Sequence, residues 1–470
     1  MTFEVEHLSE IDLHFAEGES KDPRVGLLKY GPRTPSGQDN HVIMKIGIIG
    51  TNRTISETEK LFKDMRGKIN HKGDDIERWK IPFPGVGPES QLNISINTQK
   101  RWRERINNEE IKEIKSEYGY APRLEKAVEI VKEKLTLIYE KETPPDVVVI
   151  SFPKDFYKLC TSGSKKKPKI QRKGSDFHNR IKLEAMKLGL GTQMMRPETL
   201  RGEGTQDRAD IAWNLAVGLL YKSQKGHPWK LTELEENTCF AGISFYKERG
   251  KRKHTTKAAM AQVFLETGES FILRADKIKE IKGKHQNHLS KVDAKNIVKS
   301  ILEQYKKIKH GIKPNRLVIH KTSNFWDEEV EGIMKTGKNI QSIDLVTIRE
   351  RHPLRTFSGG DYPVLRGTLI TPPNEKEYYL FTTGYISAIG TYPWPRIPKP
   401  LIIQVKEGKN QSSIRNICKE ILSFTKLDWN SSHFCTKLPV TIQIPRSVGG
   451  ILAESKARDV DIDPHYYYYM

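Results

Sequence analysis

Four polar side chains between residues 177 and 230 have types and spacings suited to holding a phosphate. His178 and Lys182 are four residues apart, so on a helix their side chains are neighbours. Gly189 and Gly191 break that helix, and Gln193 follows. Lys222 stands at the C-terminal end of a second expected helix, 207–221. Lysine supplies a point charge and three donors, while histidine and glutamine supply directed donors. Helix N-termini nearby would add backbone N–H groups. An ordinary explanation stands beside this one. A His and a Lys at this spacing often make a solvated helix face, and a Lys after a last helical turn suits the helix dipole. Spacing alone leaves both readings open.

The elements that must position these groups show in the apolar pattern. Phe177, Ile181, Ala185 and Leu188 put one face of the first helix on a core; Ile211, Leu215 and Leu219 do so for the second. Upstream, VIMKIGIIG (42–50) reads as a buried strand entering a glycine turn, and ISETEKLFKDMRGKI (55–69) as a helix. Leu124, Val128, Val131 and Leu135 mark another helix. DVVVISFP (146–153) suits a parallel strand buried on both faces. This alternation predicts an α/β domain with a Rossmann-like sheet over 37–236, whose ligands bind at the carboxyl ends of strands. The run G-I-I-G-T-N (47–52) is not a full G-x-G-x-x-G fingerprint and lends little to dinucleotide binding. SGSKKKPKIQRKGS (162–175) reads as a mobile basic loop, either a solvated linker or a segment that orders on a phosphate.

A leading segment, 1–36, contains an expected strand (3–7) and a turn-rich stretch, GLLKYGPRTPSG (26–37). It is expected to pack on the second domain, 237–470. There CFAGISFYKE (239–248), AAMAQVFLET (258–267) and ESFILRA (269–275) read as successive strands, the first two joined by a basic turn, RGKRKH (249–254). Ile297, Ile301, Tyr305 and Ile308 mark a helix over 293–309, and RLVIHK (316–321) is a fourth strand. Three strands, a helix and a fourth strand match the order of a ribonuclease-H-like fold.

The charge balance points to a polyanion. Lys+Arg number 79 against 59 Asp+Glu, a net charge of +20, spread along the 470 residues rather than held in a tail. Nucleic acid is the leading partner for such a basic chain. No run of eighteen apolar residues exists, so no membrane span is expected. The N-terminus has neither the basic nor the apolar region of a signal peptide. Cys160, Cys239, Cys418 and Cys435 are far apart and form no C-x-x-C pair, which suggests a reducing cytoplasm.

The motifs carry a family resemblance. H-x-x-x-K, then G-x-x-T-Q, then L-Y-K-x-x-x-G-x-P-W resembles the MID domain of Argonaute proteins, which holds the 5′-phosphate of a guide strand. The resemblance implies that His178, Lys182, Gln193 and Lys222 take that role here. G-L-x-x-Y-G-P (26–32) resembles the start of other PIWI-containing chains. PVLRGTLI (363–370), YYLFTTGYIS (378–387), IPKPLIIQV (397–405), FTKLDWNSS (424–432) and KLPVTIQIP (437–445) resemble the C-terminal half of PIWI domains in order and spacing. The chain is similar to a short prokaryotic Argonaute, made of MID and PIWI domains without N and PAZ. The family's C-terminal tail turns back to the MID–PIWI seam. The resemblance therefore implies that the Met470 carboxylate shares a Mg2+ with the guide phosphate, while Tyr466–Tyr469 suggest an aromatic plug.

A ribonuclease-H-type nuclease needs carboxylates on adjacent strands to hold two hard cations. In active relatives the first PIWI strand carries an Asp after a G-I pair; here the phrase A-G-I-S puts Ser244 there. Their fourth strand ends in an H-R-D-G-like phrase; here H-K-T-S puts Thr322 at the Asp position. The stretch IPRSVGG (444–450), where a fourth ligand would fall, has no His or Asp. Glu266, Glu269 and the Asp327, Glu328, Glu329 cluster remain, and read as surface or structural groups. The expectation is a chain that does not cleave. What the resemblance implies is a guide-dependent sensor, with RNA guide and single-stranded DNA target. It would form a heterodimer with an APAZ-containing effector, sirtuin-like or TIR, that depletes NAD in abortive defence against plasmids and phages. Two alternatives stay open: an autonomous nuclease with displaced carboxylates, and an unguided basic nucleic-acid binder.

Overall fold

A computed structural model describes residues 2–35, 41–72, 80–161, 175–203, 206–247, 257–265, 270–278, 287–350, 352–357, 359–373, 376–394, 396–457 and 463–470. The basic stretch 162–174, the turn 249–254, Glu266 and Glu269 lie outside the described residues.

The leading segment forms strand β1 (Glu4–His7) and helix α1 (Pro23–Tyr30). The helix corrects the expectation of turns from residue 26. The Asp22 carboxylate accepts from the backbone N–H groups of Arg24 and Val25 at 2.7 and 3.2 Å, and Pro23 takes the first turn, where its missing N–H is harmless. Gly26 lies inside this helix because the Phe15 ring packs on it; a Cβ there would meet that ring at 2.0 Å.

A five-stranded parallel sheet follows. Its elements are β2 (Val42–Gly50), α2 (Asn52–Asp64), β3 (Ile94–Asn97), β4 (Arg103–Arg105), α3 (Tyr120–Tyr139), β5 (Val147–Ser151), α4 (Ser175–Lys187), β6 (Gly191–Met195) and α5 (Arg208–Gln224). β2 pairs in parallel with β3, β4 and β5, and β5 pairs in parallel with β6. All five residues of β5 are buried, as its β-branched run requires in a sheet covered on both faces. α2 begins at Asn52 rather than Ile55, because the Thr51 hydroxyl caps it by accepting from Thr54 N–H.

The second sheet has nine strands, and its elements after β6 are β7 (Thr238–Lys247), β8 (Lys257–Leu265), β9 (Ser270–Ile278), α6 (Lys291–Ile308), β10 (Arg316–Lys321), α7 (Asp327–Thr336), β11 (Ser342–Arg349), β12 (Thr368–Thr371), β13 (Tyr378–Leu380), β14 (Leu401–Lys409), α8 (Ile414–Phe424) and α9 (Val440–Ala457). The strands run β1-β12-β13-β14-β11-β10-β7-β8-β9 across the sheet. β7 to β9 form an antiparallel meander, and β10 and β11 run parallel to β7. This is the ribonuclease-H-like arrangement, and β1 adds to its far edge through β12. α9 lies directly on β7: a Cβ at Gly242 would sit 1.6 Å from the Thr441 carbonyl oxygen, so only glycine fits there. One apolar core reaches from the first sheet (Met44, Ile46) to the second (Phe240, Val318). Among the described residues no helix is long and apolar enough to cross a membrane.

A buried ion cluster ties the leading segment to this sheet. Arg366 Nε and Lys426 Nζ reach the Glu10 carboxylate at 2.7 and 3.1 Å. Burial opposes a charge on Glu10, but Arg366 and then Lys426 outweigh it and hold the carboxyl at about 2. Glu10→Gln leaves two cations buried without their anion and is expected to destabilise the protein by roughly 3–5 kcal/mol near pH 7. Glu10's contribution is present in full above its unfolded value of 4.5 and is lost as pH falls toward 2. Denaturation of both proteins across that window should therefore show the gap closing in acid; a constant gap would mean the carboxylate charge is not what stabilises.

Candidate functional site

Lys182 comes from α4, Lys222 from the last turn of α5 and Gln193 from β6, an element that periodicity did not reveal. The structure brings them together. Lys222 Nζ donates to Gln193 Oε1 at 2.5 Å. Lys182 Nζ donates to the Thr192 carbonyl at 3.2 Å and to the Met470 main-chain oxygen. His178 lies one turn before Lys182 on α4 and feels the charge of both lysines. The site is at the amino end of β6, where Lys222 Cβ is 3.4 Å from the Cβ position of Gly191, rather than at the carboxyl ends of the strands. Lys222 lies in the last turn of α5, so that helix does not bring N-terminal N–H groups here, while on α4 His178 lies in the first turn and Lys182 in the middle.

The tail closes the seam between the sheets. Tyr466 to Tyr469 are all buried. On one side Ile272 N–H of β9 donates to the Pro464 carbonyl at 2.8 Å; on the other the Tyr468 hydroxyl donates to the Gly189 carbonyl at 3.2 Å. Lys225 lies 5.8 Å from the ring centres of Tyr467 and Tyr468. Burying one large apolar side chain is worth roughly 1.5–3 kcal/mol, and one charge-assisted hydrogen bond about the same. Four rings therefore outweigh the single Lys182–Met470 contact. The rings hold the tail, and the contact is set by where they put it.

Electrostatically, burial weakens the charge of the basic groups in this seam. Burial pushes the Lys182 amine down to about 7. Burial, then the nearness of Lys182, pushes Lys222 down well below its usual range. Burial, Lys182 and then Lys222 take His178 down to about 4, against a hydrogen bond with Asn179 that favours its charged form. Among the described residues no carboxylate side chain is among the groups acting on either lysine. An anion placed here would restore charge to all three and take up protons as it binds.

A second constellation sits where β10 ends beside the second half of β7. The last aligned pair of these strands is Ile243 and Lys321, so Ser244 and Thr322 follow side by side. Thr322 lines a cavity of about 180 Å3 with Phe245, Asn287, Ser323, Asn324 and Arg349. The carboxylates nearby in sequence are used elsewhere. Asp327 is exposed and pairs with Lys406 at 2.9 Å. Glu329 is no surface group: it is fully buried, binds Lys321 Nζ at 2.6 and 2.7 Å, and accepts from the N–H groups of Leu289 and Trp326. Residues 444–450 fall within α9. Among the described residues no three His, Cys, Asp or Glu side chains meet in a metal-binding group. Reading by motif missed Arg349 and Lys225, whose only signal was the general excess of base.

A family model described as "Piwi domain" matches residues 170–456. The chain belongs to the Piwi family. Solved structures agree on the fold. Clostridium butyricum Argonaute, bound to a guide DNA and a 19-mer target DNA, matches with a TM-score of 0.65 at 16% identity, over 96% of this chain and 53% of that one. Drosophila Piwi matches at 0.64 and 14%, over 99% and 56%. Marinitoga piezophila Argonaute, in complex with a 5′ OH guide RNA and target DNA, matches at 0.59 and 14%, over 95% and 57%. This Piwi-family chain thus spans a little over half the length of these relatives. No curated protein sequence matches it.

The buried lysines set a stability test. A lysine whose folded value is lowered costs stability below its unfolded value, and that cost disappears as pH rises toward 10.5. Lys222→Met keeps the volume and removes the charge. It should raise the Tm of the ligand-free protein at pH 7, with the gain shrinking by pH 10; a lowered Tm at pH 7 would show that Lys222 is already compensated.

Proposed function

We propose that the protein is a guide-dependent nucleic-acid sensor that does not cleave. The observation that carries this is the seam where Lys182, Lys222, Gln193 and His178 converge with no carboxylate side chain among the described residues acting on the lysines. A terminal phosphate supplies two charges and three acceptor oxygens, which is what these donors lack. The Marinitoga piezophila protein was solved with a 5′ OH guide RNA, so the shared fold alone does not demand a phosphate; the buried lysines of this chain are the reason to expect one. On this reading Lys182 and Lys222 bear on the phosphate charge, and Gln193 and His178 orient it. The excess of base holds the backbone of the paired strands while base pairing supplies sequence. RNA guide with single-stranded DNA target is the pair that the resemblance to short Argonautes favours.

A Mg2+ shared by the Met470 carboxylate and the guide phosphate is part of this reading. In the ligand-free structure the Met470 main-chain oxygen accepts from Lys182, which places that oxygen beside the phosphate-binding groups. Ser244 and Thr322 offer no negative charge to a cation pair, which supports binding without cleavage. Output would then be conformational and would pass to a partner in the cytoplasm. The resemblance proposes that partner as an APAZ-containing effector with a sirtuin-like or TIR NAD-depleting domain, acting against plasmids and phages.

The test begins with nucleic acid extracted from the protein co-expressed with its neighbouring gene product. Short 5′-phosphorylated RNA is the expected finding, and strands with random ends would favour an unguided binder. Purified protein should prefer a 5′-phosphorylated guide over its 5′-hydroxyl form by roughly 10- to 100-fold, the worth of one strong charged contact. Lys182→Ala with Lys222→Ala should abolish the preference; unchanged affinity would refute the pocket. Because Lys182 loses its proton near 7, the preference should also fall as pH rises from 7 to 9. Labelled target should stay intact with guide and Mn2+, and a cut opposite the guide would restore the nuclease reading.

A further inference from the structure

The outer edge of the second sheet is open at β1. This strand pairs with β12 on one side, and among the described residues no strand pairs with its other side. Leu8 N–H donates to the Gly367 carbonyl at 2.9 Å, one step beyond the His7–Thr368 pair that ends the ladder. Bonded residues alternate in an antiparallel ladder, so Glu6 and Glu4 turn their main-chain groups to β12, and Val5 and Phe3 turn theirs outward. β12 agrees: Phe381 N–H donates to the Thr368 carbonyl at 2.9 Å, which turns Thr368 and Ile370 to β13 and leaves Leu369 and Thr371 to β1. An unpaired edge of this kind is a template for one more strand.

Side chains alternate in the same way. Leu8 enters the core and Glu6 pairs with Arg415 of α8, so the face they share with Glu4 looks toward that helix. Phe3 and Val5 lie on the opposite face and are 56% and 64% exposed, with buried Ile370 directly across from Val5 on β12. β1 has no proline and no bulge to blunt its edge, and its only charges are Glu4 and Glu6.

The charge of the segment selects what can sit there. Residues 1–20 hold Glu4, Glu6, Glu10, Asp12, Glu17 and Glu19 and no Lys or Arg, in a chain whose net charge is +20. Glu10 is taken up by Arg366 and Lys426, and Asp12 by Lys21, while Glu4 is exposed. A polyanion is repelled by this edge. A second copy of β1 would set glutamates beside glutamates, and like charges facing across strands destabilise the pair. What fits is an extended segment that places apolar side chains beside Phe3 and Val5 and Lys or Arg beside Glu4 and Glu6.

Resting on the reading above that output passes to a partner, we propose that β1 is the docking edge for that partner protein, which adds one extended strand of alternating basic and apolar residues to the second sheet. Main-chain hydrogen bonds to Val5 and Phe3 supply affinity, and the acidic strand selects a basic segment.

Two variants and one probe peptide test this. Val5→Pro removes an outward N–H without touching the bonds to β12, a change that edge strands tolerate on their open side. Glu4→Lys reverses an exposed charge and keeps the main chain intact. Each protein is co-expressed with its neighbouring gene product and the complex is purified. Each is also titrated with a labelled heptapeptide of alternating Lys and Val, and with its fully N-methylated form. The parent should hold the gene product and bind the plain peptide but not the methylated one. Val5→Pro should lose the gene product and weaken the peptide by about 10-fold, the contribution of one main-chain hydrogen bond. Glu4→Lys should weaken the peptide by roughly 5-fold near 50 mM salt and by less near 500 mM. Both variants should load guide as the parent does, which shows that they fold. If Val5→Pro does not, the salt dependence of Glu4→Lys decides alone. Unchanged complex and unchanged peptide affinity in both variants would overturn the proposal, as would self-association of the parent that Val5→Pro abolishes. If the parent holds no gene product, the partner reading fails instead, and the peptide titration still decides whether β1 accepts a basic strand.

Discussion

Two ammonium groups buried in one seam, without carboxylate side chains to meet them, constrain this protein more than any other interaction. Lys182 and Lys222 are almost fully enclosed, burial makes both harder to charge, and Lys182 adds to that for Lys222. Such an arrangement is unfavourable in an isolated chain and persists only where the rest of the fold enforces it. Here the enforcement is apolar. One continuous core joins the two sheets, and the buried tyrosines at 466–469 fill the seam between them. The lysines are held apart from water by packing that does not depend on them.

The same chain handles its other buried charges in the opposite way. Glu10 meets Arg366 and Lys426, Arg316 meets Asp344 and Glu420, and Lys321 meets Glu329. Each of those clusters is closed by its own counter-ions and so has a structural role. The contrast separates framework charges from the seam: those cations are met by carboxylate side chains, while among the described residues the two seam lysines are met by the Gln193 amide, the Thr192 carbonyl and a Met470 main-chain oxygen. Beside the end of β10, Thr322 and Ser323 line a cavity with Arg349, whose guanidinium is paired with the Glu377 carboxylate at 2.7 Å. Among the described residues neither place gathers a group of metal-binding side chains.

Much of the framework was legible in the chain itself, for a local reason. Period-two and period-3.6 apolar patterns report burial directly, so β2, β5, β7, β8, β9, β10 and the helices α3, α4, α5 and α6 fall close to their expected places. Elements without such a pattern were missed. β6 is five residues long and reads G-T-Q-M-M; its place is set by pairing with β5, which lies forty residues earlier. α1 was hidden by the glycines and prolines at 26–37, and forms because Asp22 caps it and Phe15 packs on Gly26.

The sequence by itself determined the types of group available: four polar side chains of phosphate-binding type at helical and turn spacings, a net charge of +20, and Ser244 and Thr322 where carboxylates were sought. It could state which residues would act because residue type and local spacing are written along the chain. Only the tertiary structure decided what surrounds them. It brought Met470 to Lys182 across 288 residues, assigned Glu329 to Lys321 rather than to solvent, and set Arg349 in the cavity beside Thr322. Burial, and with it the loss of charge on the seam lysines, arises from packing between segments distant in sequence, and no local pattern encodes how much water a side chain will lose.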